Sequence, residues 1–136
     1  MLETTRIERW LYDVLSRDPV LSSAVGGRIY AYLAPPEAET PFVVFAFQSG
    51  ADTAGIGMAR LFVSALYQVK VVGTGWSWAP LQPIADRIDE LLHAASGTTV
   101  DGRVLGCMRE QPVSYVEVSD GTVYRHLGGL YRIYAQ

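Results

Sequence analysis

Apolar residues near the start of the chain recur at helical spacing. Ile7, Trp10, Leu11, Val14 and Leu15 form one stripe at i, i+3, i+4, i+7 and i+8, while Arg9, Asp13 and Arg17 lie four apart on a wetted side. Thr5 and Glu8 have capping-box spacing, which predicts a helix opening at Thr5. Asp18-Pro19 can end this helix and cap a second short one, stopped by Gly26-Gly27. Residues 28–33 predict a short strand. Pro35, Pro36 and Pro41 then mark an exposed connection, because each removes a backbone donor and fixes φ.

The middle of the chain changes period. Residues 42–47, Phe-Val-Val-Phe-Ala-Phe, are continuously apolar, as expected of a central strand covered on both faces. Residues 49–60 carry small side chains and three glycines and predict a flexible connection. Residues 61–72 resume as a long strand paired with the first. After Gly75, Trp76 and Trp78, an amphipathic helix is marked by Leu81, Ile84, Ala85, Ile88, Leu91, Leu92 and Ala95, and Gly97 ends it. Asp101-Gly102 predicts a hairpin turn. Strands follow over 105–110, 113–118 and 130–135, with Pro112 at a break and Asp120-Gly121 as a turn. The closing strand is Gly-interrupted and aromatic: Leu130, Arg132 and Tyr134 alternate with Tyr131, Ile133 and Ala135. The layout predicts one α+β domain over residues 1–136. Its mixed, mainly antiparallel sheet would be packed by an N-terminal helix and a central amphipathic helix.

Composition adds a sticky surface to this picture. Hydrophobic residues make up 49% of the 136 and charged residues only 18%, with three Trp, eight Tyr and four Phe. A typical soluble domain is roughly 25% charged, so apolar side chains are expected outside the monomer's core, where self-association would cover them. A net charge of -3 with Lys70 as the sole lysine argues against nucleic-acid binding, and no polybasic patch is present for an anionic membrane. No apolar run approaches the roughly 18 residues that span a bilayer. The charged start, unlike a signal peptide, predicts synthesis in the cytosol.

Candidate chemistry is thin. Gly55-Ile56-Gly57 lacks the third glycine of a dinucleotide loop, Arg60 standing there, and precedes a strand. His93, His126 and Cys107 are far apart in sequence, and Asp86, Asp89 and Glu90 fall on a solvated helix face. Ser114 and Ser119 lack a hydrolase elbow. The expectation is a chain with no catalytic residues, metal or cofactor. Two features stand out instead: the 49–60 segment, longer than most connections, and Trp76 and Trp78, which share a face if their segment is extended. These nominate Ser49, Asp52, Thr53, Ile56, Met58, Arg60, Trp76 and Trp78 as interface residues. A small-molecule module is the alternative, with Tyr67, Arg109, Tyr115 and Tyr131 lining a pocket.

In order and spacing, four pieces of the chain resemble the tail-terminator, or tail-completion, family of long-tailed bacteriophages. They are the N-terminal helix with Val25-Gly26-Gly27-Arg28-Ile29-Tyr30, the Pro41-Phe42-Val43-Val44-Phe45 and Tyr67-Gln68-Val69-Lys70-Val71-Val72 strands, the 84–92 helix, and the closing Tyr124-Arg125-His126-Leu127-Gly128-Gly129-Leu130-Tyr131-Arg132. The resemblance implies a virion protein of the tail or neck, made in the bacterial host cytoplasm. It implies a homo-oligomer, usually a hexameric ring, that caps the tail tube protein, ends tube polymerisation and joins the tail to the head connector. DNA would pass through the lumen without specific binding. Another neck component, such as a head-closure protein or connector adaptor, fits the same residues.

Overall fold

A computed structural model describes residues 3–100 and 102–136 of the chain. Helix α1 (Glu3–Arg17) is followed by α2 (Pro19–Val25), strand β1 (Ile29–Ala31), β2 (Phe42–Ala54), a 3₁₀ turn (Ile56–Met58) and β3 (Arg60–Thr74). Helix α3 (Gln82–Leu92) precedes β4 (Gly97–Thr99), β5 (Gly102–Ser119) and β6 (Thr122–Ala135). The strands form one six-stranded sheet in the order β1-β2-β3-β6-β5-β4, antiparallel except for the β1–β2 pair. The fold is therefore α+β and rich in strand.

Alternation along the strands sorts their side chains between two faces. Val63, Ala65, Tyr67, Val69 and Val71 of β3 and Tyr131, Ile133 and Ala135 of β6 point to one face. There they form a single core with Ile7, Trp10, Leu11 and Leu15 of α1, Leu21 and Val25 of α2, and Ile84, Ile88 and Leu92 of α3. Among the described residues the opposite face carries no helix. Its first part is covered by the Pro-rich connection, which explains why Val44, Val72 and His126 are buried outside the main core.

Several expected boundaries shift, each for a local reason. Helix α1 already includes Glu3, so Thr5 lies inside its first turn and the Thr5–Glu8 pair is no capping box. Glu8 instead accepts hydrogen bonds from Tyr67 Oη at 2.9 Å and Tyr32 Oη at 2.5 Å, because a tyrosine in the core needs a partner for its hydroxyl. Asp18 caps α2 as the sequence suggests, accepting from Leu21 N at 2.9 Å with Pro19 at the first helical position. Arg87 binds the same carboxylate at 2.6 and 3.0 Å, holding the Asp18 carboxyl below its ordinary range and tying α2 to α3. The β4–β5 hairpin forms at the predicted turn, with Thr99 opposite Gly102, while Asp101 lies outside the described residues.

The largest correction concerns residues 49–60. They are no flexible connection: β2 continues to Ala54 and β3 begins at Arg60, so the two strands form one long hairpin arm. Small residues misled the reading because residues 49–54 of β2 are exposed throughout, and a strand segment with no buried face needs no apolar alternation. Similarly, the two strands expected over 105–110 and 113–118 are one strand, β5, running through Pro112. A bulge between Arg109 and Gln111 adjusts the register, and Pro112 is tolerated because this part of β5 is the sheet border.

Candidate assembly surface

The arm is built by register. Ala51 lies opposite Ser64, Asp52 opposite Val63 and Thr53 opposite Phe62, with bulges between Phe47 and Ser49 and between Thr53 and Ala54. At its tip Gly55 N donates to Ala59 O at 2.7 Å, and the chain turns through Gly57 (φ 82°) and Met58 (φ 69°). That turn leaves two apolar side chains bare: Ile56 is 104% exposed and Met58 89% exposed. Arg60 has a different job, since its guanidinium lies 3.4 Å from Glu3 Oε2 of α1 and 3.5 Å from Asp52 Oδ2. It fastens the tip end of the arm to α1.

The tryptophans separate. Trp76 is 85% exposed on the turn after β3, whereas Trp78 packs partly against the core beneath the Arg125 guanidinium, 4.9 Å from its ring centre. The expectation that both share a face is overturned, because the segment bends instead of extending. Gly75 adopts φ 113°, its N donates to Val123 O at 3.2 Å and its carbonyl accepts from Arg125 Nε at 3.0 Å. Trp76 and the arm tip lie at opposite ends of β3, so the nominated residues divide into two distinct surfaces.

Border strands were missed by sequence reasoning. Beyond Phe45, residues 46–54 of β2 pair as a strand only with β3 among the described residues, while the Phe47 main chain also meets the Tyr32 hydroxyl and the Gln48 side chain. On the far border β4 covers β5 through Val104, and His93–Ala94 extends this cover, with Ala94 N donating to Cys107 O and Arg109 N to His93 Nδ1. Residues 111–119 of β5 then have main-chain partners only on the β6 side among the described residues. The His93 ring therefore receives a backbone donor. The signal that could have found these borders is the low charge of residues 46–54 and 111–119, with only Asp52 and Glu117 between them.

The helix-free face is aromatic, and its Arg132 is paired with a carboxylate. Tyr115 stacks on His126 with ring centres 4.3 Å apart, Phe62 meets Tyr134 edge-on, and Lys70 Nζ donates to Tyr115 Oη at 2.5 Å. Arg132 pairs with Glu110 at 2.8 and 3.2 Å, which lowers the Glu110 carboxyl's pKa. His126, only 7% exposed, bonds Glu117 through Nε2 at 3.0 Å. Burial above all, with help from Lys70, lowers its pKa and favours the neutral ring.

The pocket expected from Tyr67, Arg109, Tyr115 and Tyr131 assembles only in part: Arg109 and Tyr131 both line a cleft of about 420 Å³ between α3 and the sheet, with Gln82, Asp86 and Leu127. Tyr67 and Tyr131 are buried in the core, where Tyr131 Oη donates to Asp89, while Tyr115 lies on the opposite face. Asp89 is thus a bonded partner of Tyr131, 3.8 Å from Arg109, unlike the wholly solvated carboxylate expected. A groove of about 320 Å³ does exist elsewhere, between the Pro-rich connection and Phe42, Val72, Lys70 and Tyr124. The buried Cys107 thiol is pushed up to about 12, chiefly by burial and then by the charge of Asp89. Among the described residues no three His, Cys, Asp or Glu side chains gather at metal-binding spacing, and no helix is long and apolar enough to cross a membrane.

No protein-family model and no curated protein sequence matches the chain. Among solved structures, the chain is similar to one described as "Virion of native gene transfer agent (GTA) particle", with a TM-score of 0.77 and 18% identity over 92% of this chain and 90% of that one. The two share a fold across nearly their whole lengths.

Proposed function

We propose that this chain is a structural protein of a phage-like virion, one that closes into a ring, usually of six copies, on the end of the tail tube. There it ends tube polymerisation and joins the tube to the head connector, in the manner of the tail terminators its sequence resembles. The observation that carries the reading is the shared fold with a chain of a virion particle over nine-tenths of both molecules. The surface agrees. Two of its bare apolar features, the Ile56–Met58 tip and Trp76, sit at opposite ends of the sheet, as needed by a part that meets one partner below and another above. On the helix-free face Arg132 is neutralised by Glu110 and the sole lysine, Lys70, is held by the Tyr115 hydroxyl, so that face lacks the clustered free cations that hold phosphates and suits a channel past which DNA slides. An architectural role also fits the chemistry, because the lone thiol is buried and protonated and the His126 ring is enclosed.

A polymerisation assay tests the proposal. Tubes of the cognate tail tube protein, grown with this chain present, should stop at shorter lengths and carry it at one end. Unchanged tube length with no end-bound protein would reject the terminator role. Binding to connector rings alone would then favour a head-closure or adaptor protein.

A further inference from the structure

We infer that successive copies join edge to edge, the free border of β5 (residues 111–119) in one copy pairing antiparallel with the free border of β2 (residues 46–54) in the next. This inference rests on the ring reading and specifies its contact. Past Phe47, whose main chain meets Tyr32 and Gln48, both borders pair on one side only among the described residues, and such a border is a template for another strand unless it is short, charged or covered. Neither stretch is short. Residues 46–54 hold no Lys, Arg or Pro, and after Pro112 the only charge on the β5 border, Glu117, is drawn to His126.

Direction and symmetry select the occupant. Stepping across the antiparallel pairs β2–β3, β3–β6 and β6–β5 shows that β2 and β5 run in opposite senses, on opposite sides of the sheet. A rotation that keeps strand direction therefore sets β5 antiparallel to the next copy's β2. One repeated head-to-tail contact uses both borders at once, and closing it into a ring leaves neither free. A twofold contact, β5 on β5 or β2 on β2, would leave the other border bare. Facing is fixed too, because a one-residue slip would invert every side chain. Ala51 lies opposite Ser64, which lies opposite Tyr134, and Val113 lies opposite Gly128, which lies opposite Lys70. Ala51 and Val113 thus share the helix-free face and can stand next to one another across the joint.

Cross-linking tests this directly. Ala51→Cys, Val113→Cys and the double variant are treated, at concentrations where the unsubstituted protein forms rings by mass, with a short bis-maleimide that spans neighbouring same-face registers. The unsubstituted protein, whose Cys107 is buried, is the control, and thermal melting confirms that each variant is folded. The double variant should give a ladder ending at the ring's mass, mixed single variants only dimers, and each single variant alone none. A single variant that dimerises alone marks a twofold contact and overturns the inference. A double variant that stays monomeric while rings form overturns the edge contact but leaves the ring reading intact. Absence of rings at every concentration overturns both.

Discussion

At the scale of single residues, the Gly128-Gly129 break in the closing strand is explained by contact. A Cβ at Gly128 would sit 2.1 Å from Val69 O and 2.6 Å from Lys70 Cα, both backbone atoms that cannot swing aside. Gly128→Ala is expected to cost about 1–3 kcal/mol through overpacking, read as a lower midpoint in urea. Asp18 gives a pH signature. Its folded pKa is depressed, so its pairing with Arg87 is fully present above the ordinary value of 3.8 and is lost as pH falls through the folded value. Asp18→Asn should be less stable near neutrality by about 1–3 kcal/mol, and its deficit against wild type should shrink below pH 3.8. His126 works in the same direction at higher pH. Its neutral, buried form contributes stability above 6.5 that is lost as pH falls toward its lowered folded value, so His126→Phe should flatten the melting profile in that window. An unaltered slope there would assign the acid sensitivity elsewhere. The sequence displayed the Gly-Gly break but not its cause, since Val69 and Lys70 lie nearly half a chain away.

At the scale of elements, the arm and the Trp turn separate folding from assembly. Ile56 and Met58 touch little of their own subunit, so Ile56→Ser with Met58→Ser should leave stability within about 0.5 kcal/mol. If a partner buries both, assembly should require at least about tenfold more protein, because burying one such side chain contributes about 1.5–3 kcal/mol. Sedimentation across a concentration series reads this, and an unchanged assembly midpoint would remove the tip from the contact. The tryptophans should diverge. Trp76→Ser leaves the melting temperature in place, whereas Trp78→Ala lowers it by removing the ring packed beneath Arg125. Element types with strong periodicity, α1 and α3, were legible because one side of each is buried against the sheet. The arm was not legible. Residues 49–54 of its β2 half are exposed throughout, and their strand character comes from β2–β3 pairing, which hydrophobic alternation does not record.

At the scale of the whole molecule, the scarcity of charge made an incomplete surface legible, and the structure locates the incompleteness. It lies on two strand borders on opposite sides of the sheet and on bare apolar side chains that include Ile56 and Met58 at one end of it and Trp76 at the other. Which borders are free depends on where β1 and β4 stop, and both are three-residue strands too short to read from pattern. Surfaces that differ from side to side and from end to end are what a head-to-tail ring between two unlike partners requires. Cryo-electron microscopy of tail tube ends decorated with this protein tests that claim most directly. The account predicts a single closed ring of identical copies at one tube end, with the β5 border of each copy against the β2 border of the next. Bare tube ends, or copies arranged as twofold pairs along the tube wall, would contradict it.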